Sequence, residues 1–199
     1  MDRALELAFG IALSYAIGTW VAGYYLTRWR IGKDIRELGS GSAGARNTAR
    51  LLGRSLGLVA FAWDFSKGTL AVLLATTLFA DGLVPGIAAV AVVLGHIWPA
   101  QLGFRGGKGV APAAGALIVW QPPVLAAVAV VYVLSAIVTR SVERRALTAF
   151  GAGVGSIPFL GMQPYESAAC AVILALLIWT HRDGFLSQKN NVIKEEATK

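Results

Sequence analysis

Two glycine-rich basic stretches hold the residues of this chain best suited to binding an anion. The first lies between residues 28 and 57, where seven cations and a cluster of glycines separate two long apolar segments. Its centre reads Gly39-Ser40-Gly41-Ser42-Ala43-Gly44-Ala45-Arg46-Asn47-Thr48-Ala49-Arg50. Glycines let a backbone turn tightly and bring its N–H groups close to a ligand, and successive N–H groups in such a turn form a concavity that suits phosphate. Arg46 and Arg50 add permanent charge and forked donors for the same kind of ligand. The run also fits G-x-G-x-x-G, yet a dinucleotide site needs a preceding strand and a βαβ unit. The flanking sequence supplies neither. A Gly/Ser linker inside a positively charged loop is the plainer alternative.

The second stretch runs Gly95-His96-Ile97-Trp98-Pro99-Ala100-Gln101-Leu102-Gly103-Phe104-Arg105-Gly106-Gly107-Lys108-Gly109. It is not a Walker A loop, because Leu102 stands in place of the first glycine and Gly109 in place of the closing Ser/Thr. Arg105 and Lys108 flank Gly106 and Gly107 just before an expected helix start, where N–H groups, helix dipole and two cations together suit an anion. Pro99 and the glycines also read as plain turn formers. A lone His96 is more often a satisfied hydrogen-bonding group than a catalyst. His181 ends the last apolar run, where a helix C-terminal cation is the ordinary reading. Asp64 and Lys67 lie inside another apolar run at i,i+3, which places them on one helix face within pairing distance. Ionisable residues in such a run are costly and usually face a site or a water-filled cavity; a neutralised structural pair is the alternative. The sequence holds no G-x-S-x-G elbow, no His/Cys metal spacing and no H-x-x-x-x-D pair. No metal or cofactor is expected.

The elements that must position these residues are membrane helices. Hydrophobic residues make up 56% of the 199 and charged residues 15%, a balance outside the range of soluble domains. Apolar runs fall at about 4–27, 56–80, 83–98, 109–121, 123–139, 146–162 and 165–180. A full crossing takes about 20 residues, so the third and sixth runs are short and the fourth is shortest. Charge checks the count. With the N-terminus outside, seven crossings place segments 28–55, 99–108, 140–145 and the end from 181 inside, and these hold sixteen of the eighteen Lys and Arg residues. The opposite loops at 80–82, 121–123 and 161–166 hold none, as the positive-inside rule requires. The expected architecture is therefore an all-α polytopic membrane protein of about seven transmembrane helices, N-terminus outside and C-terminus cytoplasmic. Residues 1–182 form one helical membrane domain and 183–199 a polar cytoplasmic tail.

The net charge of +7 is explained by loop topology, and no basic face interleaved with aromatics points to nucleic acid. The single cysteine, Cys170, lies in an apolar run and implies no disulfide. Acidic Asp2 and Glu6 and the lack of a cleavage pattern make the first run a membrane helix rather than a signal peptide. Small residues at Gly10, Gly18, Gly23, Gly151, Gly153 and Gly155 are expected to allow close helix packing. Trp20, Trp29, Trp98, Trp120 and Trp179 sit near helix ends, as interface anchors do.

Over nearly its full length the chain resembles the bacterial acyl-phosphate:glycerol-3-phosphate acyltransferases of the PlsY family. In the first family motif Gly39, Ser40, Gly41, Gly44, Ala45, Asn47 and Arg50 agree. The Asp-x-x-Lys-Gly helix is matched by Asp64, Lys67 and Gly68, and the second motif by Gly95, His96, Pro99, Phe104, Gly106, Gly107, Lys108, Gly109, Val110 and Ala111. His181 and Arg182 open the third motif. The departures are Ser42 for Asn, Arg46 for Thr, Arg105 for Lys, Pro112 for Thr and Gly184 for Asn, and the end of the third motif is replaced by Ser187 to Asn191. The resemblance implies acyl transfer from a fatty acyl-phosphate to glycerol 3-phosphate at the cytoplasmic face of the bacterial inner membrane, with the bilayer as the other partner. It releases lysophosphatidate and inorganic phosphate. An acyl-phosphate is already activated, so positioning and charge stabilisation suffice without a covalent intermediate. Ser40, Arg50, His96, Lys108 and His181 are then the candidate catalytic residues. Gly39, Gly41, Gly44, Arg46, Asn47, Lys67, Arg105, Gly106 and Gly107 are the candidate phosphate binders. Either histidine, or a substrate phosphate, fits the role of base. A different acceptor, given Ser42 and Gly184, and a non-enzymatic membrane binder or transporter of an organic phosphate are the competing readings.

Overall fold

The computed structural model describes residues 2–197, with side chains described through Arg182, and within those residues it holds helices and turns and no strand. The order is α1 (Arg3–Gly18), α2 (Ala22–Ile31), α3 (Ala45–Leu52), α4 (Arg54–Leu78), α5 (Val84–Ile97), α6 (Val110–Trp120), α7 (Pro122–Leu134), α8 (Val142–Gly155) and α9 (Pro164–Ala197). Each of the seven apolar runs folds as helix, and the first is split into α1 and α2 around Thr19–Val21. Among the described residues, four stretches are long and apolar enough to cross a bilayer: Arg3–Ile31, Arg54–Leu78, Val84–Leu102 and Pro164–Arg182. Helices α6 and α7 are apolar but shorter, and α8, at 14 residues, also falls short of a full crossing. The backbone of α9 continues as helix to Ala197, through the point where the polar tail begins in the sequence.

Local chemistry sets the ends. The Thr19 hydroxyl donates to the carbonyl of Ala16 (2.7 Å) at the close of α1, and α2 ends at Gly32 with φ +69°, the left-handed cap that glycine adopts without steric cost. Pro85 and Pro122 stand in the first turns of α5 and α7, where the missing N–H has no intrahelical partner to lose. Ser141 caps α8 by accepting from the N–H of Arg144.

Helix α5 lies at the centre and packs against α1, α4, α6 and α9. The crossings are close because small residues meet backbone. A Cβ on Gly18 would strike the Val92 carbonyl, and one on Gly95 would strike the Tyr15 carbonyl. Gly68 meets the backbone of Pro112, Gly115 meets that of Phe65, and the Thr69 hydroxyl donates to the Gly115 carbonyl (2.9 Å). Gly23 likewise meets the Ala43 carbonyl, while Gly10 and Gly153 pack closely against the side chains of Val84 and Val128. Gly151 and Gly155 do not: both face open space, so the expected packing role fails for these two. Large apolar side chains such as Leu58, Trp63, Leu73, Ile137 and Val138 point outward, as they do where lipid is the solvent.

The connections gather at two ends of the bundle. At one end Arg3 pairs with Asp81 (2.6 Å), and Gln121 donates to Glu166 (2.9 Å). At the other end the basic segments meet: Arg36 donates to the carbonyl of Leu102, Arg46 and Lys108 pair with Glu143, and the Thr180 hydroxyl donates to the carbonyl of Lys108. The start of α1 and the His181 turn of α9 therefore lie at opposite ends. Because the α4–α6 crossing is backbone to backbone, Gly68→Val is expected to lower stability by about 2 kcal/mol or more through overpacking. Gly151→Ala, which adds its methyl to open space, is expected to leave thermal unfolding in detergent unchanged or slightly improved.

Candidate active site

The first basic loop is built around Asn47. This buried side chain donates to the carbonyls of Leu38 (2.9 Å), Ser42 (3.0 Å) and Ile35 (3.3 Å), and its Oδ1 accepts from the Ser40 N–H (3.0 Å). A Cβ on Gly39 would collide with that Oδ1, and Gly39 and Gly41 both hold positive φ, so glycine is required for the turn. On α3 the buried Asn47 and Thr48 face inward. Arg46 and Arg50, four residues apart and so on one face, point into the space beyond.

The second loop folds back on the end of α5. The N–H of Gly106 donates to the Ile97 carbonyl (2.9 Å), and that of Gly107 to the His96 carbonyl (3.1 Å). Gly107 also presses against His96 Nε2, where a side chain would collide. The two loops then join through the Ala43 N–H and the Gly106 carbonyl (3.2 Å). Arg36 braces both: it pairs with Asp34 (2.6 Å), lies over the Tyr24 ring and donates to the carbonyls of Leu102 and Arg105. The Arg36 guanidinium holds the Asp34 carboxyl below the usual carboxylate range against the opposing effect of burial.

Between these loops and helices α4, α6, α7, α8 and α9 lies a cavity of about 530 Å³. Its polar end is lined by Ser40, Ser42, Gly44, Arg46, Asn47, Arg50, Lys108, Glu143 and His181, and Asp64 and His96 also border it. The remaining wall is apolar: Phe61, Ala114, Leu125, Val128, Tyr132, Val133 and Phe150 among others. A second cavity of about 260 Å³ adjoins it, sharing Ser40, Ser42 and Lys108 and adding Gly41, Arg105, Gly106 and Gly107.

Beside the main cavity is a buried ionic cluster. Lys67 Nζ lies 2.8 Å from Asp64 Oδ1, 2.8 Å from His96 Nδ1 and 3.1 Å from the Trp20 carbonyl. Asp64, Lys67 and His96 are each at most 5% exposed. Lys67 donates to His96 Nδ1, which leaves the proton of the neutral ring on Nε2, against Gly107. His181 has the opposite tautomer. Its Nδ1 donates to the Leu177 carbonyl (2.7 Å), so Nε2 is the acceptor of a neutral ring.

The sequence candidates thus divide. Ser40, Gly44, Arg46, Asn47, Arg50, His96, Lys108 and His181 line the main cavity; Gly41, Arg105, Gly106 and Gly107 line its neighbour; Gly39 and Lys67 line neither. Lys67 belongs to the buried cluster, and Asn47 commits its amide to the loop. Glu143 was not expected at the site. Its carboxylate accepts from Arg46 (2.9 Å) and Lys108 (3.2 Å) through the same oxygen, Oε1. Burial pushes Glu143 upward, but Lys108 and Arg46 outweigh it and hold the group below its ordinary range. Its signal in the sequence was a single acid among three arginines in the 140–145 segment. Gly184, where the third motif departs from its pattern, lies outside the residues whose side chains are described.

Removing one partner of a buried ion pair strands the other. Lys67→Met is expected to cost about 3–5 kcal/mol, whereas Asp64→Leu combined with Lys67→Met recovers most of that loss, both measured by thermal unfolding in detergent. A double variant no more stable than the single one would contradict the pairing.

Comparison with known proteins agrees with this geometry. The family model for glycerol-3-phosphate acyltransferase matches residues 8–188. The glycerol-3-phosphate acyltransferase of Myxococcus xanthus is 40% identical over 177 residues, covering 88% of this chain and 92% of that protein. That of Pseudomonas syringae pv. syringae is 37% identical, covering 85% and 87%. Among solved structures, PlsY (YgiH), an integral membrane glycerol 3-phosphate acyltransferase, superposes in its glycerol 3-phosphate form with a TM-score of 0.86 at 31% identity, covering 93% of this chain and 92% of that one. Its lysophosphatidic acid form gives 0.83 at 30% identity with the same coverage. A family match across both basic loops, Asp64, Lys67 and His181, joined to that superposition, places this chain in the glycerol-3-phosphate acyltransferase family.

Proposed function

We propose that this protein transfers a fatty acyl group from an acyl-phosphate to glycerol 3-phosphate, giving lysophosphatidate and inorganic phosphate. The observation that carries this reading is the two-part cavity. Its cationic end, with Ser40, Arg46, Arg50, Lys108 and His181, opens directly onto an apolar wall between α4, α6, α7 and α8. Phosphates fit the first part and an acyl chain fits the second. In the reaction the acceptor's primary hydroxyl oxygen bonds to the acyl carbon, the acyl C–O bond to phosphate breaks, and the electron pair leaves with inorganic phosphate. The hydroxyl proton passes to His181 Nε2 or to a substrate phosphate. Of the two histidines, His181 suits that position, because the contacts of His96 bind it into the ionic cluster. Arg50 and Lys108 hold phosphate charge, with Ser40 and the N–H groups of its loop completing the cradle. Arg46 and Arg105 add charge at its rim.

The same reading sets the protein in the bacterial inner membrane. Seven segments cross it, the N-terminus lies outside, the cationic end faces the cytoplasm, and residues 183–199 form a cytoplasmic tail. The positive-inside distribution and the gathering of every basic loop at one end support this.

Purified protein in detergent with palmitoyl-phosphate is expected to release phosphate only when glycerol 3-phosphate is present, and to form lysophosphatidate. His181→Ala should lower kcat by about 10²-fold or more, while His96→Ala should instead lower thermal stability. Acceptor-independent release would point to another acceptor, and uptake of labelled glycerol 3-phosphate into vesicles without release would point to a transporter. For orientation, a Cys170→Ala background carrying Phe159→Cys should react with an impermeant thiol reagent on intact spheroplasts. Trp29→Cys should react only after lysis; the reverse pattern would invert the topology.

A further inference from the structure

The cationic end of the cavity contains one side chain of the wrong charge for it. Glu143 stands in the first turn of α8 with its side chain one third exposed, and it lines the cavity beside Ser40, Arg50 and His181. Its Oε1 lies 2.9 Å from the Arg46 guanidinium and 3.2 Å from the Lys108 ammonium. These cations come from separate segments, one from α3 and one from the loop before α6, and they converge on a single anionic oxygen. Two donors arranged around one oxygen form the geometry in which a phosphate oxygen is held. Glu143 is ionised at neutral pH, because Lys108 and Arg46 outweigh the effect of burial. A dianion binding to Lys108 and Arg46 would therefore meet a carboxylate already in place, and like charges at that distance exclude each other.

We propose that Glu143 is a specificity-determining internal anion: in the ligand-free protein its carboxylate occupies a phosphate position between Arg46 and Lys108, and a substrate phosphate binds by displacing it. This rests on the reading that the cradle receives phosphate. The contact has two consequences. Arg46 and Lys108, both long and partly exposed, are held converged before any ligand arrives, which lowers the ordering cost of binding. An anion must also outcompete a carboxylate to enter, so a phosphate dianion is admitted and a simple carboxylate gains nothing by exchange, a form of discrimination by competition.

The test uses inorganic phosphate as the probe, its binding to purified full-length protein measured by calorimetry alongside the KM for glycerol 3-phosphate. Glu143→Gln keeps the shape and removes the charge; it is expected to bind phosphate about fivefold more tightly, with the KM falling in the same direction. Glu143→Asp keeps the charge and should stay within about twofold of the parent. A merely structural salt bridge would lower thermal stability or kcat without tightening phosphate. Should Glu143→Gln not fold, Glu143→Asn makes the same comparison. Unchanged or weaker phosphate binding by the neutral variant overturns the proposal, and a raised KM overturns it in favour of Glu143 holding the acceptor's hydroxyls. If wild type binds phosphate and the neutral variant shows no gain, this proposal alone fails; if neither binds, the cradle reading fails with it.

Discussion

The arrangement of the site depends on one buried ammonium. Lys67 sits about 20 Å along α4 from its first residue, taking ~1.5 Å per residue, at a depth where an unpaired charge is costly. An ammonium has three donors, and here three acceptors surround it: the Asp64 carboxylate, His96 Nδ1 and the Trp20 carbonyl. They belong to α4 itself, to α5 and to the break between α1 and α2. The Trp20 carbonyl lies where the first helix is interrupted, so the cluster also satisfies part of the backbone that the break leaves open. His96 then carries the constraint outward. Its carbonyl receives the Gly107 N–H, and the neighbouring Gly106 carbonyl receives the Ala43 N–H. One ionic cluster thereby fixes α4, α5, the helix break and, through two backbone bonds, both glycine loops.

The fold was largely legible because the bilayer simplifies it. Seven apolar runs define the segments, all seven are helical, and the basic connections between them gather at one end of the bundle. What the runs do not reveal is length in space. Thr19–Val21 interrupts the first, because hydropathy does not distinguish a continuous helix from one that stops to offer a carbonyl inward. The glycines do not share one role. Gly18, Gly68, Gly95 and Gly115 lie where backbones touch, whereas Gly151 and Gly155 touch nothing. Only the partner helix separates those cases.

The site was legible in its residue types and less so in its roles. Asp64 and Lys67 paired as their i,i+3 spacing required, but the third member, His96, is 29 residues from Lys67 and no spacing rule joins them. Asn47 looked like a ligand-facing amide because sequence gives a side chain's donors and not their destinations. Those donors go to three carbonyls of its own loop. In the sequence Glu143 is one acid among three arginines and looks like a solvated surface charge. Its importance arises only when α8 brings it against Arg46 and Lys108.

The shortness of α6 leaves room for a basic loop beside the apolar wall of the cavity. Eleven residues rise ~16 Å, far below the ~30 Å of a hydrocarbon core. The missing length lies at its start, where Phe104 to Lys108 run as loop against the end of α5. The polar groups of this loop are satisfied by its neighbours: the N–H groups of Gly106 and Gly107 bond to α5 carbonyls, the Gly106 carbonyl bonds to Ala43, and Lys108 borders the cavity. The loop that precedes this short helix sets Lys108 in the same cavity as Arg46 and Arg50, next to an apolar wall. Positive charge and apolar space are thus brought together where a short helix is preceded by a glycine loop.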